Sequence, residues 1–199
     1  MRLQFVYDYR SPYAYLADTQ LASLNHPVKY LAVDIVAVMK AVNNQPSPAC
    51  PAKSKYSGVD AARWAALYQV PLKPNTRVFK ALRSQEFDGS LFSRAGIAAQ
   101  LLGIFEVVHS PLFKAIWAGD DDLLTVGGRL EFLERLGVEV DFWQIADSAP
   151  VREQLAEAND GAASRGVFGV PTFFCGDEQF FGNDRLDFVR AALNSAQEV

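Results

Sequence analysis

Ser11 stands after a short apolar run, Leu3 to Tyr7, and directly before Pro12, where a helical pattern begins. A hydroxyl at that junction lies beside the unpaired backbone N–H groups of a first helical turn. Two readings are open: a helix cap without chemistry, or a hydroxyl that serves an anion at the helix end. Other reactive side chains are few. Cys50 and Cys175 lie far apart, with no C-x-x-C and no Cys/His cluster, and His26 and His109 are the two histidines. A structural zinc site takes about four such ligands, so no metal is expected. Both cysteines read as apolar filler, because a reducing cytoplasm disfavours a disulfide. Each histidine lies close before a proline, in what reads as a loop, and away from Ser11. A Ser/His/Asp hydrolase therefore has no support. Gly127-Gly128 lies in helical sequence without a Lys-Ser/Thr partner, so it is no phosphate loop.

The elements around Ser11 form a pattern. Leu3 to Tyr7 reads as a buried strand, and Ser11-Pro12 opens a helix with Tyr13, Leu16, Ala17, Gln20, Leu21 and Leu24 on one face. After His26-Pro27, Val28 to Val33 reads as a second strand, making a β-α-β unit with parallel strands. From Asp34 to about Ala149 strand signals vanish. Leu91, Ala95, Ala98 and Leu102 form one helical stripe, and Val126, Leu130 and Leu133 another. Between them and the first unit, Asn43 to Tyr56 carries three prolines and no periodicity, and reads as an irregular segment, either functional or disordered, with the functional reading favoured. A helix near Arg152 to Ser164 follows. Then Thr172 to Cys175 and Gln179 to Phe181, joined by Gly176-Asp177, read as a β-hairpin. Asp184 and Arg185 start a last helix with Leu186, Val189 and Leu193 inward. This order is an α/β, thioredoxin-like layout with an all-helical insertion between its β-α-β and β-β-α halves. The expected boundaries are residues 1–35 with 150–199 for the thioredoxin-like domain and 36–149 for the inserted helical domain.

Composition narrows the function. The 199 residues are 50% apolar or aromatic, and Lys+Arg of 19 against Asp+Glu of 23 leaves a net charge of -4. Such a balance argues against nucleic acid or an anionic membrane as partner, since both need a basic face. No apolar run approaches the ~20 residues of a membrane span, and the N-terminus lacks signal-peptide architecture. A soluble, cytoplasmic protein is expected.

DYRSPYAYLA (Asp8 to Ala17), together with RGVFGVPTFFCGDEQFFGNDRLDFV (Arg165 to Val189), resembles the 2-hydroxychromene-2-carboxylate isomerase family. That family is close to kappa-class glutathione transferases and more distantly similar to bacterial disulfide oxidases. NNQPSPACPAKSKY resembles its glutathione-side loop, with Ser47 in place of the second proline of N-Q-P-P. The resemblance implies glutathione as cofactor, a small aromatic substrate and a homodimer. It implies Ser11 as the catalytic serine. Val170, before a cis Pro171, would pair with the cysteinyl backbone of glutathione, against the alternative of a proline that merely starts a strand. Asn183 and Asp184 would hold the γ-glutamyl end, although Asp184 is also a natural helix cap. Asn44 and Lys53 complete the glutathione set, Lys53 facing a carboxylate or else lying solvated on the surface. Phe79 and Arg83 are assigned to substrate. Arg10 either steers an acidic substrate or points to water.

The positions of a C-x-x-C in disulfide oxidases are Ser11, Pro12, Tyr13 and Ala14 here, which excludes disulfide exchange at this turn. What remains suits a thiolate from elsewhere. A free thiol of pKa about 8.5 is only ~3% ionised at pH 7, and lowering it by about two units takes ~2.7 kcal/mol. A hydroxyl bond to a charged group supplies about 1.5–3 kcal/mol, and a helix terminus about 0.3–1 more. The reading is a glutathione-dependent isomerase of 2-hydroxychromene-2-carboxylate, or of a similar conjugated aromatic 2-oxo acid. A Ser11-stabilised thiolate would add reversibly, allow rotation about the resulting single bond, and leave. The alternatives are a kappa-like transferase or peroxidase that consumes glutathione, and a non-catalytic thioredoxin-like module that binds peptide.

Overall fold

Strand β1 (Leu3–Tyr7) is a run of alternating bulky side chains, and the fold is built outward from it. The computed structural model describes Arg2–Ser195. On one side β1 pairs in parallel with β2 (Val28–Ala32), with Leu3 opposite Val28 and Tyr7 opposite Ala32. On the other it pairs antiparallel with β3 (Thr172–Cys175), with Val6 opposite Thr172. Strand β4 (Glu178–Phe181) closes the hairpin, so the sheet order is β2-β1-β3-β4. Parallel neighbours need a crossover, and α1 (Pro12–Leu21) provides it.

Side chains of a strand alternate between faces, and here both faces are buried. Val6 and Phe174 join a cluster with Val33, Ile35, Val38, Ala162, Val167 and Val170. On the opposite face Phe5 stacks on Tyr7 at 5.4 Å and on Phe173 at 5.3 Å, and Tyr30 meets Tyr7 edge-on. Helix α1 buries Ala14, Tyr15, Leu16, Ala17 and Leu21. The final helix, α10 (Leu186–Ser195), buries Leu186, Val189 and Leu193, the three residues expected inward. The fold is thioredoxin-like, mixed α/β, with a helical insertion between the two halves of the sheet.

By internal contacts the chain forms two compact units, Met1–Val70 with Glu157–Val199, and Pro71–Ala156. These limits differ from the expected ones at 35 and 150, because residues 36–70 pack with the sheet-bearing unit. Helix α2 (Ile35–Ala41) places Ile35 and Val38 in the core just described. Helix α3 (Pro51–Tyr68) lies against α1. Its presence also corrects the irregular reading of Asn43 to Tyr56. A 3-10 turn at Ser47–Ala49 ends that stretch, and Pro51 then occupies the first helical position, where its missing N–H removes no bond.

The second unit is helical: α4 (Thr76–Arg83), α5 (Ser90–Leu101), α6 (Phe105–Trp117), α7 (Val126–Arg135), α8 (Phe142–Ala146) and the start of α9 (Ala149–Ser164). Two expectations fail here. The stripe Val126, Leu130, Leu133 does not face inward as a whole: Val126 is 67% and Leu130 58% exposed. The inward direction of α7 runs instead through Phe132, Leu133 and the stem of Arg129. The Arg129 guanidinium donates to the carbonyls of Leu123 and Leu124 and lies over the Trp143 ring, a long side chain burying its stem as leucine would. His109 is not in a loop either. It is buried inside α6, stacked on Phe105 at 4.3 Å. Pro111 also lies within that helix, which buries Val108, Leu112, Phe113, Ala115 and Ile116. Burial on that scale outweighs the local cost of the proline.

Candidate functional site

Ser11 caps α1 from an extended backbone conformation (φ -94°, ψ 120°), and Pro12 follows at the first helical position. Its Oγ accepts from Ala14 N at 3.2 Å and donates to the Val170 carbonyl at 3.2 Å. The second bond joins residues 159 positions apart and brings the two ends of the chain together. Val170 is buried, and the peptide linking it to Pro171 is cis. The Pro171 carbonyl accepts from Gly182 N, and Thr172 Oγ1 donates to the Gly169 carbonyl at 2.7 Å. The Val170 carbonyl thus has a partner, whereas its N–H has none among the described residues.

Asn44 reaches the same loop from another direction. Its Nδ2 donates to the Phe168 carbonyl at 2.7 Å, and its Oδ1 accepts from Gln45 N at 2.8 Å. One Nδ2 hydrogen and one Oδ1 lone pair are therefore used within the chain, and one of each is left. Asn183 is buried. Its carbonyl accepts from the Tyr68 hydroxyl at 3.0 Å, and its Nδ2 donates to the same hydroxyl at 3.4 Å. Asp184, next in the chain, keeps a part-exposed carboxylate paired with Arg185 at 3.0 Å. Lys53 lies exposed in the first turn of α3. Phe79 and Arg83 lie on α4 in the second unit, Phe79 against Trp117 with ring centroids 4.6 Å apart, and Arg83 exposed.

Two participants around α1 and Asn183, Asp60 and Tyr68, were not singled out from sequence. Helix α3 presents Asp60 to α1, where Tyr13 donates to Asp60 Oδ2 at 3.0 Å. Eight residues on, it presents Tyr68 to Asn183. Burial, then the bond and charge of Asp60, push the Tyr13 phenol well above its ordinary range, so it stays protonated. Burial likewise raises Tyr68, against the Asn183 bond and with the charges of Asp184 and Asp187. Tyr13 stands inside the Ser-Pro-Tyr run and was legible there. Asp60 and Tyr68 carry no local signal, because only packing of α3 brings them to this place.

Arg10 does not point to water. Its guanidinium lies between Asp8 and Asp34, at 2.5 Å from each. Burial alone lowers an arginine, but the two carboxylates outweigh it and hold Arg10 above its ordinary value. Among the described residues no three His, Cys, Asp or Glu side chains gather as a metal site, and both cysteines are free.

Residues 2–194 match the DSBA-like thioredoxin domain. A 2-hydroxychromene-2-carboxylate isomerase of Pseudomonas sp. (strain C18) is 35% identical over 98% of this chain and 91% of its own. The chain belongs to the DSBA-like thioredoxin family and, within it, to the 2-hydroxychromene-2-carboxylate isomerases. A solved structure of 2-hydroxychromene-2-carboxylate isomerase superimposes with a TM-score of 0.80 at 29% identity, covering 98% of this chain and 96% of that one. Glutathione S-transferase kappa 1 of Caenorhabditis elegans is 22% identical over 100% of this chain and 93% of its own. Family membership makes this chain an enzyme of the isomerase type.

Proposed function

We propose that the protein is a glutathione-dependent isomerase acting on 2-hydroxychromene-2-carboxylate or a similar conjugated aromatic 2-oxo acid. The observation that carries this reading is Ser11 at the N-terminus of α1, hydrogen-bonded to Val170 beside Pro171. The side chains present fit the tripeptide. Val170 keeps an unpartnered backbone N–H for an extended peptide, Asp184 offers a part-exposed carboxylate to an ammonium, and Lys53 an exposed ammonium to a carboxylate. Glutathione, when bound, supplies the thiol whose ionised form is the nucleophile. Ser11 has one O–H to give, now directed to the Val170 carbonyl. Given instead to an anion at the first turn of α1, it contributes about 1.5–3 kcal/mol, with about 0.3–1 kcal/mol from the helix end. Tyr13, kept protonated by burial and then by its bond to Asp60, brings no negative charge of its own to this turn. Asn44 fixes the Phe168 carbonyl and so the loop leading to Val170. Within the described residues no helix is long and apolar enough to cross a membrane; a cytoplasmic homodimer belongs to the same reading, and light scattering tests the assembly.

The test is isomerisation of 2-hydroxychromene-2-carboxylate followed by ultraviolet absorbance, with and without glutathione. The expected result is rapid interconversion only with glutathione, and no loss of glutathione. Ser11→Ala is expected to slow it ~10- to 150-fold; an unchanged rate removes Ser11 from the reaction. The kappa relative supports a second reading, a transferase or peroxidase. It predicts that glutathione is consumed, as conjugate or disulfide.

A further inference from the structure

We infer that Arg10 is a positioning residue for Ser11, locked in place by Asp8 and Asp34. This rests on the role proposed for Ser11 above. The direct bonds of the Ser11 hydroxyl, one donated to Val170 and one accepted from Ala14, are long, 3.2 Å each, and neutral, at or beyond the long end of the usual range. The contacts one residue earlier are short and charge-assisted, a class roughly twice as strong. Asp8, fully buried, accepts from Arg10 N at 2.8 Å and Arg10 Nε at 3.0 Å through Oδ1, and from the second guanidinium nitrogen at 2.5 Å through Oδ2. That Oδ2 also accepts from Ile35 N at 2.9 Å, the first residue of α2. Asp34 receives the Arg10 guanidinium on Oδ1 and with the same oxygen caps α2 through Val36 N at 3.1 Å. Its own N–H donates to Asn159 Oδ1. The backbone completes the frame: Ser11 N donates to the Asp8 carbonyl at 3.0 Å, and Val33 N to the Tyr7 carbonyl at 3.0 Å.

Asp8 therefore binds the turn at both ends, by its carbonyl to Ser11 and by its carboxylate to Arg10 and to α2. With the backbone of residues 8–10 clamped, the peptide that presents Ser11 cannot swing. The Ser11 hydroxyl remains free to exchange one weak partner for another without moving its Cα. An ammonium in place of the guanidinium keeps the charge but loses the planar fork that spans both aspartates.

The test compares wild type, Arg10→Lys, Ser11→Ala and the double variant, with kcat and KM for glutathione-dependent isomerisation and thermal melting of each. Amide exchange of Ala14, whose N–H is held by the Ser11 hydroxyl, is followed in the free protein. Expected for Arg10→Lys is a loss of about 10- to 100-fold in kcat, KM changed by less than about twofold, and faster Ala14 exchange. On the Ser11→Ala background the same change is expected to cost almost nothing more, since effects routed through one residue do not add. An equal loss in both backgrounds with unaltered Ala14 exchange overturns the inference. Should Arg10→Lys fail to fold, Asp34→Asn, which retains an α2 cap, is read by the same criteria. Wild type that shows no dependence on glutathione sinks the proposed function instead, and Ala14 exchange alone then decides whether Arg10 positions Ser11.

Discussion

Among the described residues two arginines each sit between two aspartates, and the molecule uses them differently. In the first unit Arg10 is paired with Asp8 and Asp34, and the element withdrawn from water is a carboxylate: Asp8 is 0% exposed. In the second unit Arg94 is paired with Asp88 and Asp147, and the withdrawn element is the guanidinium, 3% exposed, with carboxylates 57% and 51% exposed. Arg94 spends its other donors on the Ala146 carbonyl and the Ser90 hydroxyl, tying α5 to the end of α8. Arg10 ties a turn to the start of a helix. An arginine whose removal leaves wet carboxylates is a fastening between helices. One whose removal leaves a buried carboxylate is a condition for the turn to exist.

That difference is open to measurement. The largest effect is expected from Arg10→Met, which leaves Asp8 buried without a counter-charge and is expected to cost about 3–5 kcal/mol in urea unfolding. Arg94→Met is expected to cost less, about 1–2 kcal/mol, because both aspartates it abandons regain water while one carbonyl loses its donor. Equal losses would dissolve the distinction drawn between the clusters. The smallest effect concerns Asp88. Burial raises its carboxyl, but bonds from Ser90 and Arg94 prevail and hold it below the ordinary carboxylate value. A depressed folded-state value means that the unfolded chain takes up the proton first. The Asp88 contribution is thus present above the ordinary value and lost as pH falls through the folded one. The unfolding free energy from urea titrations against pH is expected to drop more steeply on the acid side for wild type than for Asp88→Asn, by less than about 1 kcal/mol for so exposed a group.

Much of the first unit was legible because its signals are local. Strand β1 was read at its observed limits, and Ser11-Pro12 marked the helix start because capping geometry depends on neighbours in sequence. The hairpin announced itself through Gly176-Asp177 between two aromatic runs. The second unit was read less well. Proline at 111 and the Val126 stripe misled because burial decides between competing local preferences, and burial is a property of neighbours far along the chain. The start of α3 was missed for a related reason: three nearby prolines obscure a helix in which only Pro51 takes part. The site divides the same way. Ser11, Val170, Pro171, Asn183 and Asp184 lie in runs that resemble a known family, whereas Asp60 and Tyr68 join them through the docking of α3.

The sequence by itself determined the order of the strands, the serine at the helix end, the absence of a C-x-x-C at that turn, and the family. Each of these rests on residue identity and short-range spacing, which the chain carries whatever its fold. Only the tertiary structure decided that Arg10 is clamped rather than solvent-facing, that Ser11 meets Val170 across 159 residues, and that α3 closes on Tyr13. The reason is electrostatic as much as geometric. A charge such as Asp8 is tolerated away from water only when partners from distant segments arrive together, and no local pattern states which segments those will be.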